Sequence, residues 1–416
     1  MATHTPLAQR LPKLEARHAT SRARLVRRAM AALAVVCAFL LLAAVLTVTF
    51  VGLSSSPHPT AGTPPRSTGA GGRTPGTATT PKVARSTAST GTASTGTAST
   101  PAAPTGASST APTVTSTLAP WQLPAPIEGE AVLPGAAGHL VVLGGSTSSG
   151  GLADGVFTLD TATGTLVQAG DLQSPVSASA AAVMGGQDVV FGGAMPAPLA
   201  TVQGLALART APGAGVSTTA ATVLGSLPAP RSGAAAVTVG AVTYVVGGSD
   251  GTTPEPAVLA TTNGRVFTTV ATLAQPVSFP GLAAVGGKLY VFGGKALTGS
   301  GTGHPVGAVQ VVDPGAGTAR LGGLLPEPVW GTSAVTIGGD VFLIGGATAA
   351  APDGGAAPAT DAVWWFDPAT AAVRVVGHLG VAVTMAGVAV DGQTAWVVGG
   401  EAAGAPQPVV QSITVG

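Results

Sequence analysis

The chain has 416 residues, 45% of them hydrophobic and only 8% charged, with a formal net charge of +1. That length suits one large or two ordinary domains. Residues 1–28 hold seven Lys/Arg against Glu15 alone, whereas residues 121–416 hold seven Lys/Arg against sixteen Asp/Glu. The larger part therefore lacks the basic stripe that a phosphate backbone requires, which excludes nucleic acid as a partner.

The first landmark is apolar. No Lys, Arg, Asp or Glu lies between Arg28 and Arg66, and Met30–Leu53 is almost wholly hydrophobic. Twenty-four helical residues rise about 36 Å, enough to cross a hydrocarbon core of about 30 Å with some tilt. Arg22, Arg24, Arg27 and Arg28 precede the run, so the positive-inside tendency predicts a cytoplasmic basic tail (1–28), a transmembrane signal-anchor helix (29–53) and an exported remainder. The tail is then a topology signal that also favours anionic headgroups. A cleaved signal peptide is the competing reading, but its apolar region is shorter and ends in a small-residue cleavage site, which is missing here. A lipoprotein signal at Cys37 fits less well, because Val36 precedes it and apolar sequence continues beyond it. Cys37 is the only cysteine, so the exported part forms no internal disulfide.

Residues 54–113 are rich in Ser, Thr, Pro, Ala and Gly, with a tandem repeat at 91–95 and 96–100. Such sequence buries too little apolar surface to offset the entropy of ordering. It reads as a disordered stalk, O-glycosylated or bare, spanning about 45 Å as a coil and nearly 200 Å when stretched.

From residue 114 the chain becomes periodic. Short apolar runs stop at Gly144-Gly145, Gly192-Gly193, Gly247-Gly248, Gly293-Gly294, Gly345-Gly346 and Gly399-Gly400. A fixed period near fifty residues marks a repeat array. Each unit reads as a small apolar first strand, a second strand ending at the doublet, a variable loop, a third strand, a turn and a fourth strand. Asp160, Asp313 and Asp367 head three of those turns, where a carboxylate caps nearby backbone, and Asn263-Gly264 serves in another. Six such units predict an all-β, six-bladed β-propeller.

The doublets after four apolar residues resemble the kelch-repeat family, over about residues 114–416. The family's third-strand Tyr and fourth-strand Trp are replaced by aliphatic residues such as Leu159 and Leu166, or by Phe366 and Val373, so this is a divergent version. The last unit supplies three strands, and the motif at 122–126 matches 226–230 at an interval of 104 residues, two repeats of 52. Val114–Gln122 is therefore predicted to pair with Val409–Val415 and complete the sixth blade, which removes an exposed edge.

The best-known enzymes among kelch proteins are copper-radical oxidases, which use a Cys-linked Tyr, a second Tyr and two His. The exported part has no Cys and only Tyr244 and Tyr290, both in second strands, so this chemistry is excluded. His139 at a strand start, His304 in a loop and His378 at a strand end share no ligand spacing, and neither metal nor cofactor is expected. Attention falls instead on the loops entering each first strand, which ring one mouth of the channel. Arg231-Ser232-Gly233 resembles the motif by which some kelch domains hold acidic peptides. The corresponding positions elsewhere read as Ser177, Phe279, Val329 and Val383. Arg231, Phe279 and Trp330 are the candidate binding residues, Phe279 and Trp330 serving as an apolar contact or as a plug. The expected function is a membrane-anchored, extracytoplasmic, non-catalytic module binding an envelope protein or glycan. The alternative is a carbohydrate-active enzyme using channel carboxylates such as Glu128, Glu255, Glu327 or Asp353.

Overall fold

Lys288–Phe292 shows how the architecture arises. Leu289 to Phe292 are all buried, on both faces of their strand. An antiparallel neighbour on each side and a packed sheet over each face produce that environment, and a short unbroken apolar run is its sequence signature. Gly281–Val285 pairs with one edge and Gly303–Asp313 with the other, and Thr318–Val329 adds the outermost strand.

A computed structural model describes residues 111–207, 219–297, 303–348 and 357–416. Every regular element among them is a strand, and no helix among them is long and apolar enough to cross a membrane. The basic tail, the 29–53 segment, nearly all of the 54–113 stretch and Asp353 lie outside the described residues.

The strands form six four-stranded antiparallel blades. Blade 1 comprises Ala131–Pro134, His139–Leu143, Gly155–Asp160 and Leu166–Asp171, with Thr219–Ala220 added in parallel at its edge. Blade 2 comprises Ala180–Met184, Gln187–Phe191, Thr201–Leu205 and Thr222–Ser226, which resolves boundaries that the sequence leaves open. Blade 3 runs Ser232–Val239, Val242–Ser249, Ala257–Thr261 and Thr268–Thr272. Blade 4 is the one described above. Blade 5 runs Ser333–Ile337, Asp340–Ile344, Ala362–Asp367 and Ala372–His378.

Blade 6 takes Gly387–Asp391, Thr394–Val398 and Val410–Val415 from the end of the chain. Its outer strand is Val114–Leu118, in antiparallel register from Val114 opposite Val415 to Leu118 opposite Gln411. The strand is shorter than the predicted 114–122. Ala119 still donates to Val410 O at 2.9 Å, but Pro120 has no N–H to continue the ladder. Trp121 turns away to stack on Trp396 at 6.4 Å and to lie over Gly164, where a Cβ would strike its ring.

The core is divided among the six interfaces, one apolar cluster to each. Leu140 and Val142 meet Val398 and Val410 between blades 1 and 6, while Tyr290 and Phe292 meet Trp364 and Phe366 between blades 4 and 5. Tyr290 lies 5.1 Å from Phe366, ring to ring, and so packs. The turn carboxylates also act structurally: Asp160 Oδ1 accepts from Ala162 N and Thr163 N, and Asp313 Oδ1 accepts from Ala316 N. His304 lies within the strand Gly303–Asp313, opposite Ala296, rather than in the loop the sequence suggested. The 295–297 segment pairs back on the start of that strand and extends it.

Candidate functional site

The connections into the six first strands converge on the channel axis. Ala178 N donates to Gly129 O, Gly233 N to Ala178 O, Phe279 N to Gly233 O, Gly331 N to Phe279 O, Met385 N to Gly331 O, and Gly129 N back to Met385 O. These six bonds, 2.6–3.0 Å long, form a closed circle with one residue from each blade. All six residues have φ between 52° and 66°. Glycine tolerates that region freely, whereas Ala178, Phe279 and Met385 hold it at a cost of about 1 kcal/mol or more each. The side chains of Phe279 and Met385 lean over the glycines beside them: a Cβ on Gly233 would lie 2.8 Å from the Phe279 ring, and one on Gly331 would meet Met385 at 3.1 Å.

A second circuit explains the doublets. Gly294 N donates to Val329 O of the next blade at 2.8 Å, and a Cβ on Gly293 would lie 2.4 Å from that same oxygen. The bond recurs from Gly145 to Val176 O, Gly193 to Arg231 O, Gly248 to Val277 O, Gly346 to Val383 O and Gly400 to Ile127 O. The first glycine of each pair lets the neighbouring backbone approach, and the second turns its N–H towards it.

This circuit fixes the alignment of the blades. Arg231 is equivalent to Ile127, Val176, Val277, Val329 and Val383, and Ser232 to Glu128, Ser177, Ser278, Trp330 and Thr384. The alignment read from sequence mixed these two positions with that of Phe279. Arg231 thus stands where every other blade has an aliphatic side chain, and it is 1% exposed. Its Nη1 donates to Gly247 O at 3.0 Å and Ala257 O at 2.9 Å, and Nη2 lies 3.8 Å from Glu255 Oε2. Burial lowers its pKa, and Glu255 opposes that. The expectation of an arginine displayed on the rim is corrected: this guanidinium is a strut inside blade 3, and Glu255 is its counter-ion.

Phe279 and Trp330 are brought together, edge to face at 5.6 Å, and both are half-buried. Lys295, the residue after its doublet, places Nζ 3.7 Å from the Trp330 ring centroid. Burial depresses the Lys295 pKa, partly offset by Glu401. Glu401 follows the blade 6 doublet, and it raises the pKa of Glu128 after the larger effect of that group's own desolvation; Ser146 Oγ donates to Glu128 Oε1 at 3.3 Å and acts the other way. One side of the mouth is therefore acidic, at blades 6 and 1, and the other aromatic and basic, at blades 4 and 5. Sequence reasoning missed Lys295 and Glu401. Their common position directly after a doublet, held elsewhere by Ser146, Ala194, Ser249 and Ala347, was the available signal.

Glu130 was missed as well. It begins the first strand of blade 1, next to the circle, where the other blades have Ser179, Ala234, Pro280, Thr332 and Ala386. Its side chain is 5% exposed, and burial raises its pKa to about 8. Oε1 accepts from Gly387 N of blade 6 at 3.2 Å.

The three histidines remain separate: His139 lies 3.8 Å from Asp160, and His378 3.0 Å from Asp361. Among the described residues no three His, Cys, Asp or Glu side chains gather as metal ligands. Fold and mouth define the class of this chain, a six-bladed β-propeller. No family model and no curated protein matches it.

Proposed function

We propose that the protein is a kelch-like propeller held outside the cell on one membrane-spanning segment, 29–53, with its amino terminus in the cytoplasm. Its bilayer contact is that segment, and its mouth binds an envelope protein or glycan without catalysis. The Phe279–Trp330 pair carries this reading. Two large half-buried aromatic side chains in edge-to-face contact, with Phe279 held at positive φ, form the kind of rigid anchor that dominates binding surfaces. Half-buried Ser177 and Ser232 add hydroxyls beside the circle, whereas Ser278 and Thr384 are buried and donate to the backbone oxygens of Lys295 and Trp330.

The test presents the full chain, solubilised from membranes, to a glycan array and to isolated envelope proteins. Trp330→Ala and Phe279→Ala should each lower capture at least tenfold, and unchanged capture would remove the mouth from the account. Protease added to intact cells should degrade the propeller and leave a short membrane-held fragment; full protection would overturn the topology.

A second reading has its own support. Glu128 and Glu401 lie close enough to interact, and the Glu128 pKa is raised, as a general acid requires. Shortening of a polysaccharide by the wild type and not by Glu128→Gln would favour an enzyme.

A further inference from the structure

Just outside the circle of backbone hydrogen bonds, every blade brings two residues together: the one that precedes its circle residue and the one that follows its doublet. Blades 2 and 3 place only small side chains at these positions, Ser177 beside Ala194 and Ser232 beside Ser249. The chemistry of the rim is gathered on the other four blades. Lys295 comes from blade 4, Trp330 from blade 5, Glu401 from blade 6 and Glu128 from blade 1, so they form one arc of equivalent positions.

At one end of the arc a cation lacks acceptors. Lys295 is half-buried, and its Nζ lies 3.7 Å from the Trp330 ring centroid. Beyond that contact the ammonium makes no hydrogen bond or ion pair with any described residue. A ring face satisfies one N–H, and an ammonium has three. At the other end a carboxylate lacks donors. Glu401 is half-buried too, and its side chain has no hydrogen bond or ion pair with a described residue.

The two ends feel one another without touching. Glu401 offsets the effect of burial on the Lys295 pKa, yet no ion pair closes between them. Blade 5 lies between, and at the corresponding position it has only the fully buried methyl of Ala347. Glu128 reinforces the acidic end, since Glu401 acts on it as a neighbouring negative charge. A simple anion at Lys295 would meet Glu401, and a simple cation at Glu401 would meet Lys295. A metal ion is a poor fit, because no three ligating side chains gather among the described residues. A ligand carrying both charges close together satisfies both ends at once.

We propose that this arc binds the zwitterionic centre of an α-amino acid, with the carboxylate accepting from Lys295 Nζ and the ammonium donating to Glu401. The inference deepens the rim reading and rests on it, because Trp330 holds Lys295 in place and belongs to both.

Lysine NMR of the full chain, solubilised from membranes, tests it. The chain has four lysines, Lys13, Lys82, Lys288 and Lys295, so ¹³Cε labelling gives few signals, and the one lost in Lys295→Met is that of Lys295. L-Alanine, propionate and L-alaninamide are titrated separately. L-Alanine should move the Lys295 signal saturably, and the two probes lacking one charge should bind about tenfold or more weakly. Glu401→Gln should weaken L-alanine by about the same factor and leave propionate no weaker. Nε-acetyl-L-lysine, which carries the same centre on a long stem, separates the sources: binding equal to L-alanine assigns a centre presented on a larger ligand, and exclusion assigns a free amino acid. A Lys295 signal unmoved by L-alanine in the wild type, equal binding of propionate, or binding unaltered by Glu401→Gln would each overturn the proposal. Its failure is distinct from that of the rim reading. Capture of a glycan or envelope protein that falls with Trp330→Ala but not with Lys295→Met or Glu401→Gln would keep the rim and reject the zwitterion.

Discussion

Blades 1, 3 and 5 differ from blades 2, 4 and 6 in a regular way. At the circle, the odd blades supply Gly129, Gly233 and Gly331, and the even blades supply Ala178, Phe279 and Met385. In the third strand, the even blades carry Gln203, Gln310 and Gln411, all fully buried, where the odd blades carry Phe157, Leu259 and Trp364. Each glutamine grips the connection entering its own blade. Gln310 Oε1 accepts from Gln275 N at 2.9 Å and its Nε2 donates to Gln275 O at 2.7 Å, and Gln411 does the same to Val381. The connections entering the odd blades are instead proline-rich, as at residues 124–126, 228–230 and 326–328. The structural unit is thus a pair of blades used three times. One member fixes its entrance with an amide, the other stiffens it with proline, and their side chains at the circle alternate between filling space and leaving it.

The largest expected effect lies in what all the blades share. Gly293→Ala places a methyl group 2.4 Å from Val329 O at a φ of 58° and should destabilise by about 4 kcal/mol or prevent folding, read by urea unfolding. A loss under 1 kcal/mol would mean that adjacent blades slide more easily than the circuit implies. Arg231→Ala comes next. It leaves Gly247 O, Ala257 O and Glu255 short of a partner, so about 3 kcal/mol should be lost even though every other blade is content with an aliphatic residue there.

Glu130 separates blade 1 from the other odd blades through pH. Its pKa is raised from 4.5 to about 8, so the folded state holds a proton that the unfolded state has released. Stability from this group is complete below pH 4.5 and is lost as pH rises towards 8, about 2–3 kcal/mol of it between pH 5 and 7. Thermal unfolding of Glu130→Gln should lack that slope, and an unchanged slope would assign it elsewhere. Gln310→Leu makes blade 4 resemble blade 3 and strands the Gln275 backbone N–H and C=O. It should lower stability by about 2 kcal/mol, while Gln310→Glu should be tolerated only at low pH. The smallest effect is expected at Ala178→Gly, which makes an even blade odd at the circle. Relief of the positive φ and the greater entropy of glycine oppose each other, so the change should stay within about 1 kcal/mol. A larger loss would show that the methyl group itself supports the circle.

Several of these features could be read in the chain before any coordinates. The six doublets and their spacing state the number of blades, because the same local demand recurs wherever a second strand meets its neighbour. The match between residues 122–126 and 226–230 pointed to the partner of Val410–Val415, since repeats keep their parts in order even when the chain starts inside a unit. The aromatic mouth was half legible: Phe279 and Trp330 were recognised at the connections, but the lysine lying on Trp330 comes from a different connection and is marked only by its place directly after a doublet. Arg231 was misjudged because a charged residue in a loop motif ordinarily faces water. Here the side chain turns into blade 3 itself, and the backbone oxygens of Gly247 and Ala257 take the place of solvent.

Sequence alone determined the alternation of strand and turn, the number of units and where the chain returns to itself. Those depend on short-range rules: which residues fit a pleat, and which can turn at a crowded backbone. Only the tertiary structure decided which side chains share a wall. Glu130, Gly387 and Gly399 are brought together across more than 250 residues, and the depth of that carboxyl, with one oxygen left over, comes from the ring being closed. Burial, charge and access are properties of neighbours, and neighbours in a ring are set by closure rather than by order along the chain.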